Sequence, residues 1–161
     1  MQIRKARLKD VEELAPLAIE LMTHHKELTK NEKDRHEQTI LVPNAKSLWK
    51  KWASKWIRSP KGLILIAEED GEIAGYSMNF IKENIKVYSL RETGHLADLY
   101  VRKKFRKRGL ATKFKQMAFS WFKKKGIKYA SIAFHAKNTR AHKIYKKWGF
   151  FDYQTEMRMK L

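Results

Sequence analysis

The chain has 161 residues, the usual size of one domain, and no cysteine, so disulfide scaffolds, thiolate nucleophiles and cysteine zinc sites are excluded. Its formal charge is +19 and uneven: 19 of the 36 basic residues lie from Val101 to Leu161, against only Asp152 and Glu156 among the 17 acids. That asymmetry fits either an anionic partner for the C-terminal portion or a solubilising surface.

Gln2 to Leu8 reads as a strand, with Ile3, Ala6 and Leu8 as inward positions, and Asp10 fits a helix N-cap. Val11, Leu14, Leu17, Ala18, Leu21 and Met22 then recur at helical spacing to about His25, with Pro16 inside the pattern as a source of a kink. Asn31 to Asn44 is polar and reads as a loop. Ser47 to Ile57 reads as a second helix, with Leu48, Trp52 and Trp56 at spacing four. Gly62 to Glu68 is a continuous apolar run, as in a buried strand. Asp70-Gly71 then predicts a tight hairpin turn into a return strand, Ile73 to Ile81.

Lys82 to Glu92 reads as a polar connection, and His95 to Val101 as a strand. Gly109 to Lys125 is a helix with Leu110, Phe114, Met117, Ala118, Trp121 and Phe122 on one face and Gly126 as its stop. Tyr129 to Phe134 reads as a strand, Asn138 to Trp148 as a helix, and Phe150 to Met159 as a last strand. The order β–α–α–β–β–β–α–β–α–β, with no linker or repeat, predicts one α/β domain over 1–161 built on a mixed sheet. No stretch approaches the ~18 apolar residues of a membrane span. No apolar run follows the basic start, so a soluble, cytoplasmic protein with no membrane partner is expected.

The most informative segment is Leu99-Tyr100-Val101-Arg102-Lys103-Lys104-Phe105-Arg106-Lys107-Arg108-Gly109-Leu110-Ala111. An apolar strand enters a basic loop, and the loop enters a helix. Unpaired N–H groups and the positive dipole end at a helix start can cradle a phosphate, and Gly109 with the small Ala111 allows close approach. A basic connector with a turn glycine is the plainer reading of the same residues. The Walker loop and the three-glycine dinucleotide fingerprint are both absent.

Arg106-Lys107-Arg108-Gly109-Leu110-Ala111, preceded by Asp98-Leu99-Tyr100-Val101, resembles the pyrophosphate-loop motif of the GNAT superfamily of N-acetyltransferases. Asn138-Thr139-Arg140-Ala141-His142-Lys143-Ile144-Tyr145-Lys146-Lys147-Trp148-Gly149-Phe150 resembles that family's second signature, and the element order matches its fold. The resemblance implies a mixed, mostly antiparallel sheet flanked by helices, with a splay between two central parallel strands, His95 to Val101 and Tyr129 to Phe134. It implies acetyl-coenzyme A as co-substrate; no His pair has metal-ligand spacing, so no metal is expected. The pantetheine arm would pair with the backbone of Leu99, Tyr100 and Val101, a backbone N–H near Leu99 would polarise the thioester, and Arg106, Lys107, Arg108, Gly109, Leu110, Ala111 and Thr112 would hold the pyrophosphate.

Tyr145 matches the general acid for the leaving thiolate, and Asn138 matches a contact to the pantetheine arm. Both also fit ordinary helix roles, Tyr145 as an apolar-face residue beside Ala141, Ile144 and Trp148, and Asn138 as an N-cap. The chain departs from many relatives at Ala97, where they carry a glutamate that orders the basic water. Asp98 is assigned to the catalytic site as a residue that orients substrate or builds the site, and Glu92, His95 and His24 or His25 stand as further proton acceptors. The acceptor is read as a small-molecule primary amine such as a polyamine or amino sugar, with a peptide N-terminus or protein lysine as the rival. The resemblance also implies a homodimer. A basic nucleic-acid-binding protein and a non-catalytic acyl-CoA-binding relative are the readings of another class. Phe114, Trp121 and Phe122 fall mainly on an apolar helix face, which opposes base stacking.

Overall fold

The computed structural model describes every residue from Met1 to Leu161. Contacts gather the chain into two compact units, Met1–Leu21 with Pro43–Ala133, and Met22–Val42 with Phe134–Leu161.

The first unit holds a five-stranded sheet in the order β1-β2-β3-β4-β5, formed by Gln2–Lys5, Gly62–Glu69, Glu72–Glu83, Glu92–Val101 and Ala130–Ile132. The first three pairings are antiparallel, and β4 with β5 is parallel. The architecture is thus the expected α/β one, mixed and mostly antiparallel. The β2–β3 hairpin turns on Asp70 and Gly71, both with positive φ (51° and 78°), the requirement that made Asp-Gly legible.

Helices α1 (Val11–Thr29), α3 (Ala45–Arg58) and α4 (Leu110–Lys124) follow the apolar periodicities. α1 buries Val11, Leu14, Ala15, Leu17 and Ala18. It runs on through Pro16, which has no N–H to bond the carbonyl four residues back. Asp10 does not cap α1 as read from the sequence. It closes a 3₁₀ turn, Leu8–Asp10, where its carboxylate takes the Arg7 N–H and both ends of the Arg4 guanidinium. That turn also leaves Leu8 exposed rather than inward.

On α3 the inward stripe is Trp49 and Ala53, buried, with Trp52 and Trp56 half-buried; Leu48, expected on the same face, is exposed. The segment read as a loop contains a short helix, α2 (Lys33–Glu37), where lysine, arginine and glutamate favour a local turn. β4 begins at Glu92, three residues earlier than expected, because Thr93 and Gly94 extend its ladder with β3.

α3 and α4 cover opposite faces of the sheet. On β4, Asp98 meets Trp49 of α3, while the next residue, Leu99, packs with Phe105, Leu110 and Phe114 at the start of α4. Phe114 is fully buried there, a contribution of about 2–3 kcal/mol. β3 and β4 approach so closely beside the end of β4 that a Cβ on Gly75 would lie 2.4 Å from the Tyr100 carbonyl oxygen. Gly75→Ala must force the strands apart. We expect a loss of about 2–3 kcal/mol in urea unfolding, and unchanged stability would contradict this packing.

The second unit contains α2 and α5 (Thr139–Lys147). The expected last strand, Phe150 to Met159, is absent. Its alternating apolar residues Phe151, Tyr153, Met157 and Met159 are all exposed, so no ladder or buried face holds them in a sheet. Side-chain ties hold the segment within its unit: Asp152 to His142 and Lys146, Arg158 to Gln38, and Lys160 to Glu37.

Candidate functional site

β4 is the strand on which the candidate site is built. It pairs with β5 only from Gly94 to Leu96, so Ala97 to Val101 run on with no β5 partner. The Arg102 N–H bonds the Ala74 carbonyl of β3 at 2.9 Å. Backbone groups alternate sides along a strand, so the Tyr100 N–H faces β3 and those of Leu99 and Val101 face away. The Leu99 amide is therefore offered to whatever lies along the open edge. The parallel strands part where the splay was expected, although β5 is shorter than the Tyr129 to Phe134 strand read from the sequence.

The cause lies in the β3–β4 register. Met78 faces Asp98 and Asn79 faces Leu96, so Ala97 is an extra residue, a β-bulge. A bulge bends its strand and raises local twist, which turns the end of β4 out of line with its neighbour. It also shifts side-chain parity by one. His95 and Asp98, three apart, consequently face the same side, toward α3.

Beyond β4 the chain enters a basic loop fastened at several points. Phe105 and Leu110 are buried in the α4-side core, while Arg106 to Gly109 are exposed. Arg102 and Lys104 pair with Glu72, and Arg108 with Glu69, which ties the loop to the β2–β3 hairpin. Arg106 Nε donates to the Val101 carbonyl at 2.8 Å. Lys107 and Gly109 both take positive φ, 66° and 76°. The first backbone bond of α4 is from Lys113 N–H to the Gly109 carbonyl. The amides of Lys107, Arg108, Gly109, Leu110, Ala111 and Thr112 thus precede or open the helix without a backbone acceptor. A Cβ on Gly109 would meet nothing within 4 Å, so the space over the amides is open. Consecutive N–H groups, a helix dipole and lysines and arginines around them fit a diphosphate.

On the α3 face, Asp98 accepts from the Tyr76 hydroxyl at 2.8 Å and from Trp49 Nε1 at 3.3 Å. Burial raises the Asp98 carboxyl above the usual range, and these two donors oppose the rise. Trp49 also stands edge-on to Tyr76. Asp98→Ala strands both donors and should cost about 2–4 kcal/mol of stability. Asp98→Asn, which keeps an acceptor, should recover most of it in the same denaturation assay; an alanine variant of wild-type stability would contradict the network. Tyr100 lies on the same face, its hydroxyl donating to Glu20 at 2.7 Å.

In the second unit, Asn138 caps α5, with Oδ1 accepting the Ala141 N–H at 3.1 Å. Its amide Nδ2 takes no part in the cap. Tyr145 packs among Phe134, Trp148 and Phe150, with ring centroids 5.5, 5.6 and 6.2 Å away. Its hydroxyl has no protein partner and is not sealed from solvent. Burial raises its pKa, so the phenol keeps its proton at neutral pH.

The predicted residues Asp98 to Thr112 lie on one continuous strand, loop and helix of the first unit, and Asn138 and Tyr145 lie together on one helix of the second. Sequence reasoning missed Tyr76 and Ser131. Trp49 is marked by the α3 stripe at 49, 52, 53 and 56. No such signal marked Tyr76 or Ser131, because their roles rest on partners distant in the chain.

The sequence profile of the acetyltransferase (GNAT) family matches residues 20–150. Among solved structures, a tetramutant of the BH1408 protein from Bacillus halodurans matches with a TM-score of 0.81 at 21% identity, over 100% of each chain. A predicted acetyltransferase from Clostridium acetobutylicum, solved with acetyl-CoA, matches with a TM-score of 0.78 at 16% identity, over 99% of this chain and 95% of that one. An aminoglycoside 6′-N-acetyltransferase from Acinetobacter haemolyticus gives 0.75 at 16% identity, over 100% and 98%. No protein of curated function matches significantly.

Proposed function

The chain belongs to the acetyltransferase (GNAT) family, and on that premise we propose that it transfers acetyl from acetyl-CoA to the primary amine of a small molecule, by direct attack in a ternary complex. The observation that carries this reading is the unpaired edge of β4 running into six unpaired amides at the start of α4. A folded chain with this layout can hold an extended amide-bearing arm beside the strand and its diphosphate at the helix. Acetyl-CoA is the co-substrate and supplies the thioester. Lys107 to Thr112 hold the diphosphate through backbone N–H groups, with Arg106, Lys107 and Arg108 adding charge. The Leu99 N–H stabilises negative charge on the thioester oxygen as the amine adds. The Tyr145 hydroxyl gives its proton to the departing thiolate, and Asn138 Nδ2 bonds the pantetheine arm. Asp98 keeps Tyr76 and Trp49 in place as part of the acceptor wall.

A polyamine or amino sugar suits the acceptor side. Three of the similar structures, of two enzymes, are named as aminoglycoside N-acetyltransferases, and another as a ribosomal-protein-alanine N-acetyltransferase, so a peptide amine is the rival. We also propose that the two units form one domain, because the family match runs across both. The test is release of coenzyme A thiol from acetyl-CoA against a panel of polyamines, aminoglycosides and peptides. Turnover of small amines is expected; turnover of peptides alone would reject the small-molecule acceptor. Binding of acetyl-CoA with no turnover of any amine would reject catalysis.

A further inference from the structure

The relatives' usual glutamate position is occupied by Ala97, and Glu92 is held by Lys61 at 2.8 Å. Asp98 already receives the Tyr76 and Trp49 donors. Another group on the same face of β4 is differently placed. His95 is half-buried, its ring 5.2 Å from Phe80, which in turn stacks on Trp56 at 4.2 Å and meets Trp52 edge-on. Its Nδ1 lies 2.9 Å from Ser131 Oγ on β5, its direct register partner. Ser131 has one hydroxyl proton, and its Oγ also lies 3.3 Å from the Gly94 carbonyl. A carbonyl only accepts, so when the serine gives its proton to Gly94 its oxygen meets Nδ1 as an acceptor. Both contacts are hydrogen bonds at once only in the tautomer that carries the imidazole proton on Nδ1.

In that tautomer Nε2 carries the free lone pair. It has no partner in the protein and is open to solvent. Burial, together with the charge of Lys82, lowers the His95 pKa to about 4, so the ring is neutral throughout the physiological range. The bulge at Ala97 completes the arrangement, since without it His95 and Asp98 would lie on opposite faces.

We propose that His95 Nε2 is the proton acceptor for the attacking amine, with Ser131 as the positioning residue that holds the imidazole in the Nδ1–H tautomer. This rests on the acetyl-transfer reading above. In the step, the amine nitrogen bonds to the thioester carbonyl carbon and one N–H proton passes to Nε2 through water. The carbon–sulfur bond breaks, its electron pair leaves on sulfur, and sulfur takes the proton of the Tyr145 hydroxyl. The imidazolium then returns its proton to solvent, the phenolate regains one, and the products are the acetamide and free coenzyme A.

Two measurements decide it. In the full chain labelled with nitrogen-15, the imidazole resonances of His95 at neutral pH should show a protonated Nδ1 and a bare Nε2. Ser131→Ala should move proton occupancy toward Nε2 and lower kcat about tenfold, with KM for acetyl-CoA unchanged. His95→Gln, which can accept a hydrogen bond but cannot carry the proton, should lower kcat about 10²-fold, again with KM for acetyl-CoA unchanged. A wild-type His95 protonated on Nε2, or a His95→Gln variant with wild-type kcat, overturns the assignment. Should His95→Gln fail to fold, the wild-type resonances still decide. A wild-type chain that acetylates no amine counts against acetyl transfer itself, whereas normal wild-type turnover with an indifferent His95→Gln counts against His95 alone.

Discussion

Replacing Gly109 with valine should raise the dissociation constant for acetyl-CoA by about 10–100-fold, while the melting temperature stays close to that of the wild type. Gly109 sits at φ 76°, and a β-branched residue there is a steric outlier costing about 1–3 kcal/mol. No protein atom lies within 4 Å of the added Cβ, so packing is not disturbed. The exposed loop can relax to relieve the strain in the free chain. The amides of Lys107 to Thr112 then lose their common aim, and the cost appears on binding. Calorimetric titration of acetyl-CoA into both proteins reads the difference. Gly109→Ala should lie between the two. An affinity unaffected by valine would contradict the assignment of this loop to the diphosphate.

The second large effect is at Tyr145. Tyr145→Phe keeps the ring that packs against Phe134, Trp148 and Phe150 and removes only the hydroxyl. That hydroxyl has no protein partner, so its loss leaves no buried group unpaired and stability should hold. If the phenol protonates the leaving thiolate, kcat should fall about 10²–10³-fold with acetyl-CoA affinity changed by less than about two-fold. The separation of the two effects is diagnostic. A core residue would lose stability and affinity together, whereas an acid loses only rate. Steady-state kinetics with any turned-over amine, beside a binding titration, make the comparison, and an unchanged kcat would remove Tyr145 from the chemistry.

How far the sequence reveals these features depends on the range of the forces involved. The Asp70-Gly71 hairpin, the α4 stripe from Leu110 to Phe122 and the strand–loop–helix from Leu99 to Ala111 are local patterns, each legible within ten or fifteen residues. The bulge at Ala97 was not legible, because it is a property of the register between β3 and β4. Its consequence, His95 and Asp98 on one face, was hidden with it. Likewise the Asp98 partners Trp49 and Tyr76 lie 49 and 22 residues away, and Ser131 is 36 residues from His95. The last strand failed for the complementary reason. Phe151, Tyr153, Met157 and Met159 alternate as a strand does, but alternation records only a face that could be buried, and pairing has to supply the ladder.

The most direct measurement is the amide nitrogen–proton correlation spectrum of the chain as coenzyme A is added. Binding through the helix start predicts that the backbone resonances of Lys107 to Thr112, together with Leu99 and Val101, move most and saturate together. Resonances of that stretch that stay fixed at saturating ligand, with the perturbation gathered elsewhere, would contradict the diphosphate cradle and the acetyl transfer built on it.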